Sequence, residues 1–577
     1  MAEAPQIHGT LLARNTLLNL LGQVIPLLIG LATIPYIVRG LGTERFGGSR
    51  DRLGGQARKA FFDSSRSQVC DSPEFGHTVA KRIRLSPFFK DVAFTSVTSF
   101  LTVLCLLATT RILAQGLGPE KFGAYSLARK ILSTTAPFSL LAMDVAVARY
   151  MALSNQPESR AAYLLGGLVL GVVPSLVVLT LGWVLQTDFT QLFFRDPTYV
   201  TLFGATLLMI VGYSTYGVLY AFYRGSGQMT KANLWQLGPT VLGPLIVAAF
   251  LASTGQVALI VLLSAVLYAT AGFPLAYNAL KALRLRVGLD RIMGGVRELA
   301  KYGIPRVPGG LAFAGLLAVG PFLACYFGSL RDAGYLVAGQ AILRVVESTL
   351  TAFGLVALPK VTQLFAEGRK EFLSERIVDL VTLIFFFGLF STLHLLVWAD
   401  EIIYVLLGPG YEAAIPLVRI SLIALLPYLT YVVLRAVVDA VEEKAVNTVN
   451  LLFSLAVTVI ISIILARMGL GVVGLAIGTA TGFAVLGFLT LLFMWKRYPF
   501  GIGGLRLKLL LVVNTILVVS AILIRFGLIL PARFSGPALV VSVAMTEGLL
   551  FAAYVLVLRH KGVRGVLEIE RRIVGHE

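Results

Sequence analysis

The sequence has little charge and few cysteines. Of its 577 residues, 14% are charged and 57% are hydrophobic, whereas a soluble domain carries about a quarter charged residues. Its three cysteines, Cys70, Cys105 and Cys325, are too few and too scattered for a disulfide framework. No stretch between 92 and 558 is long and polar enough to fold as a soluble domain. The composition therefore favours a protein whose solvent is the lipid bilayer.

Motifs for catalysis and for nucleotide binding are also missing. The chain has no Gly-x-x-x-x-Gly-Lys stretch, so it lacks a phosphate-binding loop with which to use ATP by itself. Its five histidines are scattered rather than set at metal-ligand spacing. No nucleophile, base and acid stand in a recognisable arrangement. We therefore expect no enzyme activity, no cofactor and no metal site.

Apolar runs long enough to cross a bilayer recur along the chain. Crossing takes about 20 helical residues, because the hydrocarbon holds no water to satisfy a backbone amide. Eight uncharged runs lie at 161–186, 199–223, 233–254, 257–280, 307–328, 380–399, 445–466 and 468–495. Six runs with at least one charge lie at 92–115, 124–152, 333–359, 413–438, 509–532 and 535–558. These runs predict an all-α polytopic membrane protein with fourteen transmembrane helices.

The net charge of +19 is spread over every second loop. A nucleic-acid-binding protein would gather its lysines and arginines on one folded patch, so we expect no nucleic-acid partner. The basic loops lie at 281–301, 369–376 and 496–508, followed by a basic tail at 559–577. Basic loops face the cytoplasm in membrane proteins. This pattern predicts a multi-pass protein of the cytoplasmic (inner) membrane with both ends of the fourteen-helix core inside.

The sequence repeats itself at an offset of about 210 residues. The segment 118–125 resembles 328–335, and the segment 216–219 resembles 431–434. The repeat predicts two parallel six-helix lobes, and transporters built in this way move two bundles about a site between them. The predicted boundaries are an N-lobe at 91–280, a linker at 281–301, a C-lobe at 302–495, two additional helices at 496–558 and a cytoplasmic tail at 559–577.

The N-terminal region stands apart from this repeat. Residues 37–47 closely resemble residues 112–123, so 1–48 is predicted to be an extra apolar segment resembling a duplicated first helix. Residues 49–90 are polar, basic and without helical periodicity, which predicts a disordered connector. Whether 16–38 inserts as a fifteenth span is left open.

Charged residues within spans are costly and mark functional sites unless they reach the interface. Arg344 and Glu347 lie near the middle of the eighth span, and their spacing of three places them on one helix face. A group of cations between two bundles suits a phosphate or pyrophosphate. The candidate substrate-binding cations are Arg344, Arg419, Arg129, Lys130 and Arg306. The candidates for ion coupling are Glu347, Asp144 and Asp439.

Structural roles compete with these assignments. Arg344 with Glu347, and Arg435 with Asp439, have the spacing of intramembrane ion pairs. Several charges lie within about two turns of a predicted helix end and can extend to the interface instead. They are Arg111, Arg149, Arg306, Arg435 and Asp439.

Several motifs resemble the polysaccharide transporters, the oligosaccharide flippase branch of the multidrug/oligosaccharidyl-lipid/polysaccharide (MOP) superfamily. They lie at 111–123, 148–150, 302–305 and 406–411, and the likeness extends over about 90–500. The resemblance implies two six-helix lobes in a V, a cationic central cavity and a polyprenyl-(pyro)phosphate-linked oligosaccharide as substrate. Two departures are Gly320-Pro321-Phe322, where such proteins often carry an Asp-Arg pair, and Asp144, where a small residue is more usual.

The sequence therefore predicts a flippase for lipid-linked oligosaccharides in polysaccharide biosynthesis and export. Its expected partners are membrane lipids, a glycan polymerase and glycosyltransferases of the same pathway. The alternatives are a cation-coupled multidrug exporter of the same superfamily and a peptidoglycan lipid-precursor flippase. A drug exporter should have an acidic cavity, whereas cations outnumber acids among the candidate residues here.

Overall fold

The computed structural model describes residues 87–285, 287–366, 370–441, 445–498, 507–529 and 537–560. Across these ranges every regular element is a helix, which confirms the predicted all-α class. The predicted segment 1–48, nearly all of the connector at 49–90 and most of the tail at 559–577 lie outside the described residues.

The first half of the described chain forms nine α-helices. They are α1 (Pro87–Leu140), α2 (Met143–Leu153), α3 (Pro157–Val184), α4 (Gln186–Phe194), α5 (Val200–Gly225), α6 (Met229–Gln236), α7 (Gly243–Leu251), α8 (Val257–Ala269) and α9 (Gly272–Leu283). Helix α1 is interrupted at Gly118, where φ is 74°. Glycine tolerates this backbone conformation, and the following Pro119 lacks an N–H donor, so the first two predicted spans are separated there.

The second half contains eleven α-helices within the described ranges. They are α10 (Leu289–Gly303), α11 (Val307–Phe327), α12 (Leu330–Ala366), α13 (Lys370–Val397), α14 (Ala399–Leu406), α15 (Ile415–Ile423), α16 (Leu425–Val441), α17 (Val446–Leu465), α18 (Gly471–Arg497), α19 (Leu507–Ile524) and α20 (Pro537–His560). Helix α10, which lies in the predicted linker, packs along α3.

Among the described residues, ten helical stretches are long and apolar enough to cross a membrane. They become eleven if the bent pair Glu412–Ile423 and Leu425–Asp439 is one span. Two of the ten, Leu101–Leu140 and Val446–Arg497, each cover parts of two predicted spans. Helix α12 covers the predicted span at 333–359 but is not among the ten. A polytopic membrane protein is therefore confirmed, whereas the number fourteen stays a prediction.

Large apolar side chains cover the outside of the bundle. Phe273 is 79% exposed and Phe250 is 76% exposed. A soluble monomer rarely presents extended apolar patches to water. Hydrocarbon solvates such side chains without penalty, so this surface fits a bilayer.

The helices pack in two groups. In the first, α5 packs closely with α8, α3 and α2, and in the second, α18 packs closely with α17 and α16. Helices α1, α11 and α12 connect the groups, since α12 and α11 both pack against α1. We call the groups the N-lobe and the C-lobe, and their predicted boundaries stay predictions.

Buried polar contacts attach the last two helices to the C-lobe. Arg525, in the helical turn after α19, is only 9% exposed. Its guanidinium lies 2.8 Å from the Glu401 carboxylate and 2.7 Å from the Asp400 carboxylate. On α20, the Glu547 carboxylate lies 2.8 Å from His394 Nδ1 on α13. These contacts fix the position of α19 and α20 beside α13.

We predict that Arg525→Met lowers the stability of the protein by about 3–5 kcal/mol, because it leaves the buried Glu401 carboxylate without its counter-charge. The apparent unfolding midpoint in detergent measures this effect. Arg419→Met is the matched control, since Arg419 pairs with Asp400 but is 44% exposed, and it should cost less than about 1 kcal/mol. Equal losses in the two variants would contradict the anchoring role of Arg525.

Candidate functional site

The two lobes are joined at one end of the bundle, which we call the outer end after the predicted topology. It is formed by the loops that follow residues 117, 327 and 406. Hydrogen bonds between the lobes run here from Arg111 Nη1 to Tyr404 O (2.6 Å), from Gln115 Nε2 to Leu407 O, from Tyr411 OH to Ala114 O (2.6 Å) and from Tyr326 OH to Leu192 O (2.6 Å). Tyrosine, glutamine and arginine side chains thus close the outer end by binding backbone carbonyls.

Glycines bring the backbones of the two lobes into contact at the outer end. A Cβ atom on Gly123 would lie 1.8 Å from the carbonyl oxygen of Leu330, far inside van der Waals contact. A Cβ atom on Gly334 would lie 3.0 Å from the Gly123 Cα. Larger residues at these positions would force the lobes apart.

The lobes also meet at a polar contact deeper in the bundle. Lys130 on α1 is 6% exposed, and its Nζ donates to Gln340 Oε1 on α12 over 2.5 Å. Among the described residues, every other hydrogen bond between the two lobes lies at the outer end. Arg344 lies one helical turn after Gln340, close enough for its charge to act on Lys130. Two basic side chains thus adjoin at the interface.

Arg344 is exposed although it lies between the lobes. Its charge acts on Tyr213 of the N-lobe and on Tyr428 of the C-lobe. An arginine that is exposed and near tyrosines of both lobes must face a space between them. No ion pair of Arg344 occurs among the described residues, so the predicted pairing with Glu347 is not formed there.

Tyrosines surround Arg129 on the N-lobe side of this space. The guanidinium lies within electrostatic range of Tyr125, Tyr213 and Tyr268. The rings of Tyr213 and Tyr268 meet edge to face, with their centres 5.5 Å apart. Tyr216 lies 5.6 Å from Tyr268 and extends the cluster. The N-lobe wall therefore combines a cation with aromatic hydroxyls.

The C-lobe wall combines an acid, an arginine and aromatic rings. Glu347 accepts a hydrogen bond from the hydroxyl of Tyr428. The Tyr428 ring stacks on Phe313 at an interplanar angle of 7°. Arg435 Cζ lies 5.8 Å from the centre of the Phe313 ring and 6.0 Å from that of Tyr431, within cation–π range.

Asp439 lies at the edge of this wall. Its carboxylate accepts a hydrogen bond from Asn447 Nδ2 over 2.8 Å, and the same Nδ2 donates to the Arg435 carbonyl over 2.9 Å. Within the described part of the chain, Arg435 and Asp439 form no ion pair with each other. The predicted i, i+4 pairing is therefore replaced by an aromatic contact for Arg435 and an amide contact for Asp439.

Asp144 lies behind Tyr213 in the N-lobe, where its charge acts on that tyrosine. It occupies the first turn of α2, after a break at Leu141 and Ala142 with φ values of 47° and 57°. Its carboxylate lies near the backbone N–H groups of Asp144 and Val145 and within electrostatic range of Arg224. A helix N-terminus favours a carboxylate.

Four predicted residues thus come together with two tyrosines. We call Arg129, Lys130, Arg344 and Glu347, together with Tyr213 and Tyr428, the central group. Asp144 and Asp439 lie at its margins.

Two predicted cations lie elsewhere. Arg419 binds Asp400 over 2.8 Å in the ion-pair network that also holds Arg525. Arg306 lies at the opposite end of α11 from the outer end, with its guanidinium on the ring of Tyr302. The structure therefore does not bring Arg419 or Arg306 into the central group.

Gln340 and the tyrosines of the site were not among the predicted site residues. The spacing of Tyr213, Tyr216 and Tyr220 on α5 places them on one helix face and was a usable signal. Gln340 lies four residues before Arg344, also on one face. Tyr428 lies three residues before Tyr431, as Tyr213 lies three before Tyr216, and was an equally usable signal. Tyr268 had no such local signal, because only packing brings it to the site.

Residues 88–365 match the sequence family described as polysaccharide biosynthesis protein. The predicted family resemblance is confirmed. The match includes every residue of the central group except Tyr428, and it ends short of the predicted likeness up to about residue 500. The chain has no significant match among curated proteins.

Solved transporters share the fold at low sequence identity. The lipid II flippase MurJ in an inward closed conformation has a TM-score of 0.64 and 13% identity, covering 82% of this chain and 100% of its own. An inward-facing multidrug resistance MATE family transporter of the MOP superfamily has a TM-score of 0.59 and 15% identity, covering 71% and 98%.

A third neighbour is a MOP superfamily transporter from Pyrococcus furiosus, for which a reversed polarity of the binding pocket suggests a different function. Its TM-score is 0.51 at 14% identity, and the likeness covers 72% of this chain and 96% of that one. These likenesses show that the chain shares the fold of these transporters.

We predict that Gly123→Ala opens the outer end, because its Cβ would collide with the Leu330 carbonyl. A cysteine introduced at Ala338, which is buried beside Gly339 on α12, should then react faster with a membrane-impermeant thiol reagent. Gly548→Ala is the matched control, since nothing lies within 4 Å of its added Cβ. Unchanged labelling in Gly123→Ala would contradict tight closure at this point.

Proposed function

We propose that this protein flips a polyprenyl-(pyro)phosphate-linked oligosaccharide across the cytoplasmic membrane for polysaccharide biosynthesis and export. The observation that carries the proposal is the exposed Arg344 between the two lobes, beside the buried Lys130. Two basic groups held together within a membrane protein cannot both be charged without a large cost unless an anion joins them. A phosphate or diphosphate group would fill that role.

The rest of the central group suits the other parts of such a head group. Tyrosine hydroxyls both donate and accept hydrogen bonds, as sugar hydroxyls require. Tyr213 and Tyr268 on the N-lobe, and Tyr428 and Phe313 on the C-lobe, offer aromatic faces on both sides of Arg344. The head group would occupy this space while its polyprenyl tail stays in the bilayer.

The closed outer end sets the order of events in this proposal. The substrate enters from the inner end, because the lobes are hydrogen-bonded together at the outer end. Release then requires the outer contacts to break as the two lobes rock about the central group. Both ends of the helical core are cytoplasmic in this scheme, and the substrate comes from glycosyltransferases and passes to a glycan polymerase.

Ion coupling is assigned to the acidic residues around the central group. Glu347 accepts a hydrogen bond from Tyr428, and Asp144 lies within electrostatic range of Tyr213; both tyrosines are also within range of Arg344. Binding of a cation at either carboxylate would therefore alter the charge felt by the substrate. Asp439 is the third candidate, through its contact with Asn447.

A multidrug exporter for cationic compounds fits this site less well, because Lys130, Arg129 and Arg344 would repel such a substrate. A peptidoglycan-precursor flippase is the second candidate, since a diphosphate-linked sugar would meet the same cations. Complementation of strains that lack one or the other flippase distinguishes these two functions.

Glycan export in a complemented flippase-deficient strain tests the proposal. We predict that Arg344→Gln lowers export at least about tenfold, because one hydrogen-bonded charge contributes about 1.5–3 kcal/mol. Arg419→Gln should export normally, since Arg419 lies in the ion-pair network with Asp400. Equal membrane levels of both variants are checked by immunoblot. Normal export by Arg344→Gln, or a matching loss in Arg419→Gln, would refute the role of the central group.

A further inference from the structure

Two arginines share one tyrosine ring at the inner end of the bundle, the end opposite the outer end. Arg306 Cζ lies 3.6 Å from the centre of the Tyr302 ring, and Arg149 Cζ lies 4.6 Å from the same point. Tyr302 lies in the last turn of α10, Arg306 directly precedes α11, and Arg149 lies on α2. We call these three residues the inner clamp. It joins the inner end of the N-lobe to the start of the C-lobe.

Aromatic contacts and a hydrogen bond hold the inner clamp in place. Arg306 Nη1 donates to the Tyr302 carbonyl over 2.6 Å. The Tyr150 ring meets the Tyr302 ring edge to face, with centres 6.0 Å apart and an interplanar angle of 87°. The two guanidinium carbons can be no farther apart than the sum of their distances to the ring centre, about 8 Å. Two positive charges are thus held close together by a neutral ring.

The inner clamp has no acidic counterpart in the part of the chain that the structure describes. Arg149 and Arg306 are both exposed and form no ion pair with any described residue. Glu298, one turn before Tyr302, already accepts a hydrogen bond from the hydroxyl of Tyr163 over 2.6 Å. Arginines that only extend to the interface need not be gathered on one ring from two different helices. Apart from Arg306 Nη1, which binds the Tyr302 carbonyl, the donors of the two exposed guanidiniums are accessible from the inner end.

We propose that the inner clamp is a separate diphosphate-binding site that first captures the lipid-linked substrate from the inner leaflet. This inference rests on the proposed function. Each guanidinium presents paired donors that match the oxygens of one phosphate group, so two of them suit a diphosphate better than a monophosphate. Tyr302 stabilises both cations by cation–π contact in the absence of substrate and holds them ready.

The inner clamp and the central group lie on different stretches of the chain. Arg149 follows Lys130 by nineteen residues, and the break at Leu141 and Ala142 lies between them. In this proposal the head group occupies the two sites in succession, first the inner clamp and then the central group. Capture at the inner clamp keeps the polyprenyl tail in the bilayer while the sugar enters the space between the lobes.

Binding of farnesyl diphosphate to the full chain in lipid nanodiscs tests the inner clamp. We expect Arg149→Gln and Arg306→Gln each to weaken binding about tenfold or more, the loss of one charge-assisted hydrogen bond. The same two substitutions should weaken the binding of farnesyl monophosphate less, because a monophosphate engages only one guanidinium. Tyr302→Phe should bind as the unchanged protein does, since it keeps the ring, whereas Tyr302→Leu should weaken binding. Unfolding midpoints verify that each variant is folded.

Exposed cations on the same surface provide matched controls. Arg297→Gln and Lys301→Gln remove a charge from α10 without touching the Tyr302 ring, so they should leave affinity unchanged. A loss in these controls equal to that in Arg149→Gln would show non-specific attraction and overturn the inner clamp. Equal affinity of Tyr302→Leu and Tyr302→Phe would overturn the role of the ring.

Arg344→Gln separates this inference from the proposed function. If Arg149→Gln and Arg306→Gln bind and export normally while Arg344→Gln does not, the inner clamp fails and the proposed function stands. If the inner-clamp variants lose binding while Arg344→Gln exports normally, the central group fails and the inner clamp stands. Absence of farnesyl diphosphate binding in the unchanged protein counts against both.

Discussion

The cost of placing charge where no water can reach it governs this structure. Each arginine in or beside a membrane span needs a counter-charge, an aromatic face or a space that admits polar groups. The described residues include examples of all three solutions. Arg525 binds two carboxylates, Arg306 lies on a tyrosine ring, and Arg344 faces the space between the lobes. The role of each arginine in the fold follows from which of these three partners lies beside it: a counter-charge, an aromatic ring or a polar space.

These solutions have different consequences for the protein. The network of Arg525, Asp400 and Arg419 satisfies its own charges and attaches the last two helices to the C-lobe. The central group has more cations than acids and tyrosines on both walls, so its charges are left to be balanced by something from outside. An arginine is therefore a structural residue in the ion-pair network and a substrate-binding candidate in the central group.

The contacts at the outer end are suited to reversible closure. Their donors are the side chains of Arg111, Gln115, Tyr326 and Tyr411, but every acceptor is a backbone carbonyl, and no ion pair joins the lobes there among the described residues. The bonds donated by glutamine and tyrosine join neutral groups and contribute about 0.5–1.5 kcal/mol each, whereas the bond donated by the charged Arg111 contributes about 1.5–3 kcal/mol. Breaking a small number of them is compatible with a transport cycle, and the Gly123 and Gly334 contact fixes how closely the lobes can approach.

Local patterns in the sequence determined the all-α class, the membrane location, the break at Gly118 and the family resemblance. Each depends only on residues that are neighbours in the sequence. The length of an apolar run decides whether a helix can span the membrane, and the Gly-Pro pair interrupts a helix locally. The sequence also identified Arg344, Glu347, Arg129 and Lys130 from their depth within spans. Only the tertiary structure assigned Arg419 to Asp400, Arg435 to Phe313, and Arg149 and Arg306 to one ring. Those partners lie on other helices, and a charge within a span has the same sequence signature whether it meets an acid, an aromatic ring or an open space.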